Sequence, residues 1–141
     1  MRTVLTRVFQ GLAWLVVASL LVEFYLAGTA LFGIATFQPH RTLGVISGVL
    51  ILLLAVLALI AAPPRRVTGQ AVLLALLTVV QLALTQFRLT APAVAALHVV
   101  NAAVLLGLAF AIARAAARMS TDVRSPEPMA TVGATPRPHS R

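Results

Sequence analysis

The chain has 141 residues, of which 60% are hydrophobic and only 10% are charged, and it contains no cysteine. This composition excludes an ordinary soluble domain, and the lack of cysteine excludes disulfides and thiolate metal sites. The formal net charge of +8 does not indicate a nucleic-acid-binding protein, because the arginines flank apolar segments instead of clustering on one soluble face. We therefore expect an integral membrane protein, with the lipid bilayer as a partner and no nucleic acid partner.

Four apolar segments follow one another along the chain, and proline marks the boundaries between them. Pro39 opens the second segment, the pair Pro63 and Pro64 ends it, and Pro92 opens the fourth. Each segment reaches the ~20 residues that cross a bilayer core, where a closed hydrogen-bonded backbone must be helical. The sequence predicts an all-α, four-helix transmembrane bundle over residues 1–118, with helices at about 8–30, 39–62, 67–87 and 92–115.

The composition changes at the end of the fourth segment, where an apolar pattern gives way to proline, serine and threonine. Residues 119–141 are therefore predicted to form a disordered tail. Arginine is concentrated on one side of the predicted bundle, which places both termini and the tail in the cytoplasm of a cell with an inner (cytoplasmic) membrane. The arginines on that side are 2, 7, 65, 66, 114 and 118, and those on the other side are 41 and 88.

The sequence pattern also indicates an internal repeat, with an offset of 58 residues and no gap. The offset places His40 on His98 and Glu23 on Gln81. It predicts two tandem helical hairpins that pack around a pseudo-twofold axis along the membrane normal, with all four polar side chains at one depth.

The two histidines are the strongest candidate site residues. Paired histidines on facing helices are typical axial ligands of a b-type haem, so we hypothesise haem binding between His40 and His98 for electron transfer. Arg41 and Arg88, at the outer end of the predicted bundle, would hold carboxylates such as the haem propionates. The small residue Gly44 and the polar Asn101 complete the predicted cofactor site.

The polar residues Glu23 and Gln81 have two interpretations. Either side chain is a candidate partner for the second ring nitrogen of a ligating histidine. The alternative, slightly favoured for Glu23, is a neutral carboxyl bonded to Gln81 as a link between helices. The histidines have their own alternative, in which they mark interfacial helix ends and bond to the turns.

Two other function classes remain open on the sequence alone. One is a cofactor-free accessory or structural subunit of a larger membrane complex. The other is a proton-linked transporter using Glu23, which would need a homo-oligomer because four short helices enclose little volume. No nucleophile–base pair, phosphate loop or metalloprotease motif occurs, so the sequence favours a non-enzymatic role and leaves enzyme activity open.

Two family resemblances rest on the histidine segments. The pattern His40-Arg41-x-Leu43-Gly44, followed by Leu97-His98-x-x-Asn101, resembles a family of small four-helix bacterial membrane proteins of unknown function over residues 8–115. The first segment is also locally similar to the haem-binding helix of haem A synthase, which implies paired histidine ligands. That family has a glutamate three residues before the histidine, where this chain has Phe37. This difference counts against haem A synthesis and leaves simple haem ligation open.

Overall fold

A computed structural model of the protein describes residues 2–122, and every secondary-structure element in that range is a helix. Helix α1 spans Arg2–Leu31, α2 spans Gln38–Ala61, α3 spans Arg65–Gln86 and α4 spans Pro92–Asp122. All four are long and apolar enough to cross a membrane. The predicted four-helix transmembrane bundle is confirmed, and the chain is a multi-pass membrane protein.

The helix boundaries follow the local signals in the sequence. Pro39 lies in the first turn of α2, where its missing N–H costs nothing. Ala62 ends α2 in a left-handed conformation with φ of 45°, and the two prolines that follow it prevent the helix from continuing. Gly33, with φ of +70°, supplies a similar conformation in the turn between α1 and α2.

The observed helix boundaries differ from the predicted ones at the start of α1 and at the end of α4. Helix α1 begins several residues before the predicted start at residue 8, and α4 continues about two turns beyond the predicted end at residue 115. The first of the extra turns of α4 consists of good helix formers, Ala116, Ala117, Arg118 and Met119. The helix thus crosses the predicted boundary at residue 118, while the predicted disorder of residues 123–141 lies outside the described residues.

The four helices form a square in which each helix contacts two neighbours. Contacts join α1 to α2, α2 to α3, α3 to α4 and α4 to α1, so α1 faces α3 and α2 faces α4 across the diagonals. The buried core lies towards the end of the bundle formed by the start of α1 and the end of α4. We call this the terminal end, and the opposite end, with the turns after α1 and α3, the histidine end.

Seven pairs of core residues lie at a constant separation of 58 residues along the chain. Each member of the first half below is buried, and so is the residue 58 positions later. Apolar side chains buried on one helix stripe hold such a bundle together by close packing, because lipid is as apolar as the core. The pairs are Phe9 and Val67, Ala13 and Ala71, Val16 and Leu74, Ile51 and Ala109, Leu54 and Ile112, Ala55 and Ala113, and Ala58 and Ala116.

Candidate functional site

Glu23 and His40 join α1 to α2 at the histidine end. The Nδ1 of His40 lies 2.6 Å from Oε2 of Glu23 and 3.3 Å from the backbone oxygen of the same residue. A backbone carbonyl can only accept a hydrogen bond, so Nδ1 carries the hydrogen and donates it to Glu23. The other ring nitrogen, Nε2, makes no hydrogen bond with the described residues. The structure therefore brings the acid to the first histidine, and not to Gln81 as the interhelical alternative required.

His98 and Gln81 join α4 to α3 in a related way. The Nδ1 of His98 lies 3.4 Å from the backbone oxygen of Gln81, which again must accept. The Nε2 of the ring lies 3.4 Å from the side-chain nitrogen of Gln81 and is therefore the acceptor in that contact. In both histidines, Nδ1 thus donates to the backbone oxygen of the residue seventeen positions earlier.

Asn101 fixes the orientation of the Gln81 amide. Its side-chain nitrogen donates to Oε1 of Gln81 at 2.7 Å and to the backbone oxygen of Leu77 at 3.0 Å. With Oε1 accepting from Asn101, the amide nitrogen of Gln81 must face His98. The predicted role of Asn101 as a polar tie therefore has a defined partner, on the neighbouring helix α3.

The two histidine rings face each other across the diagonal of the bundle. Their centroids lie 6.3 Å apart and their planes are nearly perpendicular, at 86°. Both rings are half-buried. Phe37 lies against His40 on its own helix end, also with a centroid distance of 6.3 Å, and sequence reasoning noted this residue only as a difference from a family pattern. Its spacing of three residues, one helical turn, was the signal for this contact.

The floor of the site contains small residues and buried polar atoms. A Cβ on Gly44 would lie 3.5 Å from Oε1 of Glu23, so the carboxyl packs directly over this glycine. Ser47 lies next to the same carboxyl. Neither Glu23 Oε1 nor Ser47 Oγ makes a well-formed hydrogen bond with the described residues, although both atoms are buried. The sequence did not predict Ser47 as a partner of Glu23. The spacing of Ser47 from Gly44 and Gly48 indicated only that the three residues share one face of α2.

The histidine end is packed more loosely than the terminal end. No residue in the described segments 24–46 and 75–104 is fully buried, whereas Glu23, Ser47, Leu74 and Leu105 mark the limit of the core on their helices. Few buried contacts leave side chains free to rearrange around a ligand. The histidines therefore lie just beyond the core.

The predicted rim arginines, Arg41 and Arg88, are both exposed at the histidine end. Neither forms an ion pair with a described residue, so their guanidinium groups are available to an anion. Within the described residues, no cluster of three or more His, Cys, Asp or Glu side chains is present. A metal at this site would therefore need most of its ligands from a cofactor.

Comparison with known proteins gives a match of part of the chain to one family model and no activity. Residues 23–91 match the model of the family of unknown function DUF6220. The match agrees with the predicted resemblance to an uncharacterised family. The DUF6220 segment begins at Glu23, contains His40 and Gln81, and ends before His98 and Asn101. No curated protein and no solved structure matches the chain.

Proposed function

We propose that this membrane protein binds one b-type haem between His40 and His98 and uses it for electron transfer. The observation that carries the proposal is the pair of facing imidazoles, each attached through Nδ1 to an oxygen of the neighbouring helix. Ligating histidines usually donate the second ring N–H to a carboxylate or backbone carbonyl, which fixes the ring and leaves the other nitrogen for the metal.

The distance between the rings is compatible with a shared iron. Two imidazole nitrogens on one metal lie about 4 Å apart, from two metal–nitrogen bonds of ~2.0–2.1 Å, and the ring centres lie farther apart than the nitrogens. The observed centroid separation of 6.3 Å is large enough for two ring nitrogens at this distance from each other. One contact must change, because the Gln81 amide now faces Nε2 of His98 and would have to release it.

The surroundings also fit a haem. The loosely packed histidine end allows the helices to accept a flat ligand, and the exposed Arg41 and Arg88 are suited to its two carboxylates. When bound, a haem supplies one-electron redox chemistry. A haem held by both His40 and His98 would serve electron transfer in preference to the binding of small molecules. The protein's own contribution is to hold both rings and exclude bulk water.

The same proposal includes an internal duplication. Buried positions that recur every 58 residues, together with the matching Nδ1 contacts of His40 and His98, support two tandem hairpins related by a pseudo-twofold axis. We place the protein in the inner (cytoplasmic) membrane with both termini in the cytoplasm, on the arginine distribution.

One observation favours a second candidate, a proton-linked transporter using Glu23. The buried Oε1 of Glu23 has no hydrogen bond with the described residues, and ionisable groups inside membranes often mark ion pathways. This function would require a homo-oligomer, since a single four-helix bundle encloses little volume. A cofactor-free accessory subunit of a larger complex is the third candidate, and the paired ring contacts would then serve only packing.

An absorption spectrum of the purified protein, oxidised and then reduced, tests the proposal directly. Haem binding predicts a strong Soret band and the sharp visible bands of a six-coordinate b-type haem after reduction. A protein purified from haem-supplemented cells without these bands contradicts haem binding. The transporter is then separated from the accessory subunit by a proton-flux measurement in vesicles with and without Glu23→Gln.

A further inference from the structure

A group of three side chains lies on the surface between α1 and α4, away from the histidines. The rings of Trp14 and Phe110 meet edge to face, with centroids 5.7 Å apart. The guanidinium of Arg114 lies over the Phe110 ring, 5.8 Å from its centre. All three residues are exposed on the outside of the bundle. We call them the Trp14–Phe110–Arg114 cluster.

Arg114 has no anionic partner within the described residues, where its charge contacts only the ring. An arginine side chain stays charged under all ordinary conditions, and a helix side chain leans towards the helix N-terminus. The guanidinium therefore reaches back along α4 towards the bilayer. A charge held there needs a counter-ion.

The depth of the cluster matches the boundary between acyl chains and headgroups. From Pro92, the first residue of α4, to Arg114 the helix rises about 33 Å at 1.5 Å per residue. A bilayer core is ~30 Å thick, so with Pro92 at one interface Arg114 lies at the other. Tryptophan is enriched at that level too, where its ring contacts acyl chains and its N–H contacts headgroups.

The positions 58 residues away from the cluster show that packing alone does not require these side chains. They belong to α2 and α3 and carry Val72, Leu52 and Val56. All three are exposed and purely apolar, as lipid-facing residues normally are. These three positions thus present only aliphatic side chains to lipid, whereas the cluster presents a cation and two aromatic rings.

We propose that the Trp14–Phe110–Arg114 cluster is a binding site for the headgroup of an anionic phospholipid. The phosphate pairs with the Arg114 guanidinium, whose flat face stays on Phe110, and the first acyl carbons lie against the two rings. Charge-assisted bonds between arginine and phosphate are strong and geometrically specific. The inference concerns the α1–α4 seam and does not depend on a haem.

The chain provides its own probe, because Trp14 is its single tryptophan. The protein is reconstituted in phosphatidylcholine vesicles in which either phosphatidylcholine or phosphatidylglycerol carries bromine near the top of its acyl chains. Bromine quenches only a tryptophan that it touches. We expect brominated phosphatidylglycerol to quench Trp14 at an about fivefold lower mole fraction, which corresponds to ~1 kcal/mol per arginine at the membrane surface.

Variants separate the site from general surface charge. Arg114→Gln should remove the preference, while Arg65→Gln, which deletes an exposed arginine at the same end of the bundle, should leave it intact. Phe110→Leu should reduce it while keeping the charge. Trp14 emission at an unchanged wavelength shows that each variant is folded. Equal quenching of the wild type by both lipids overturns the proposal. Loss of the lipid preference in Arg65→Gln also overturns the proposal, because the preference would then depend on the general surface charge. Loss of the preference on addition of inorganic phosphate overturns it as well, because Arg114 would then bind free anions.

Discussion

His40 donates a 2.6 Å hydrogen bond from Nδ1 to the side chain of Glu23, while His98 lies 3.4 Å from the side-chain nitrogen of Gln81. The two histidines therefore occupy similar positions with unequal partners. The 2.6 Å contact of His40 is shorter than either 3.4 Å contact of His98 with Gln81. The α1–α2 side of the site is thus held more firmly than the α3–α4 side.

Replacing either histidine should abolish six-coordinate haem absorption. In His40→Ala or His98→Ala, one axial ligand is lost, and a single imidazole leaves the iron five-coordinate or lets the haem dissociate. The spectrum of the reduced protein measures this result. Gln86→Ala, an exposed polar change on α3, is the control. Retained six-coordinate bands in both site variants would rule out ligation by this pair.

Removing the carboxylate should weaken cofactor retention more than removing the amide. We expect Glu23→Ala to lower haem affinity by about 10–100-fold, the usual cost of losing a group that orients a metal ligand. Gln81→Ala should cost less, because the backbone oxygen of residue 81 still accepts from His98. Haem transfer to an excess of a haem-binding acceptor protein measures the difference. Gln86→Ala, an exposed change on α3, is the control, and an equal loss in Gln81→Ala and Glu23→Ala would contradict the inequality of the two partners.

The packed terminal end should determine the stability of the bundle. Leu54 is fully buried, whereas its neighbour Leu53 faces outward with 52% of its surface exposed. Lipid replaces a lost lipid-facing side chain but cannot fill a buried cavity, so Leu54→Ala should destabilise the fold by about 2 kcal/mol through the cavity term. Leu53→Ala should cost much less. Thermal unfolding in detergent measures both changes, and similar melting temperatures for the two variants would mean that the core lies elsewhere.

The orientation predicted from the arginines can be measured by reporter fusions. A reporter joined after Arg66 should be active in the cytoplasm, and one joined after Arg41 should be active outside it, because positively charged turns are retained inside. A pair of reporters with opposite compartment requirements provides the internal control. A fusion after Arg66 that reports the outer compartment would reverse the proposed orientation.

Much of the fold could be predicted from the sequence, because a lipid environment restricts the structures that a chain can form. An apolar segment of sufficient length must be helical, and prolines at 39, 63, 64 and 92 separate the segments. The sequence also singled out His40, His98, Glu23, Gln81 and Asn101, since polar side chains are costly in an apolar segment. The outer limits of α1 and α4 were less readable, because helix formers such as alanine and arginine continue a helix beyond the membrane without a stop signal.

The sequence by itself therefore determined the number of helices, their approximate spans and which polar residues interrupt the apolar segments. Only the tertiary structure decided how those positions pair. It joined Glu23 to His40 instead of Gln81, turned Asn101 towards Gln81, and brought Arg114 over Phe110 beside Trp14. Helix periodicity fixes the face on which a side chain lies, but the neighbour that it meets depends on how the helices are arranged and rotated. That arrangement results from the packing of all four helices together.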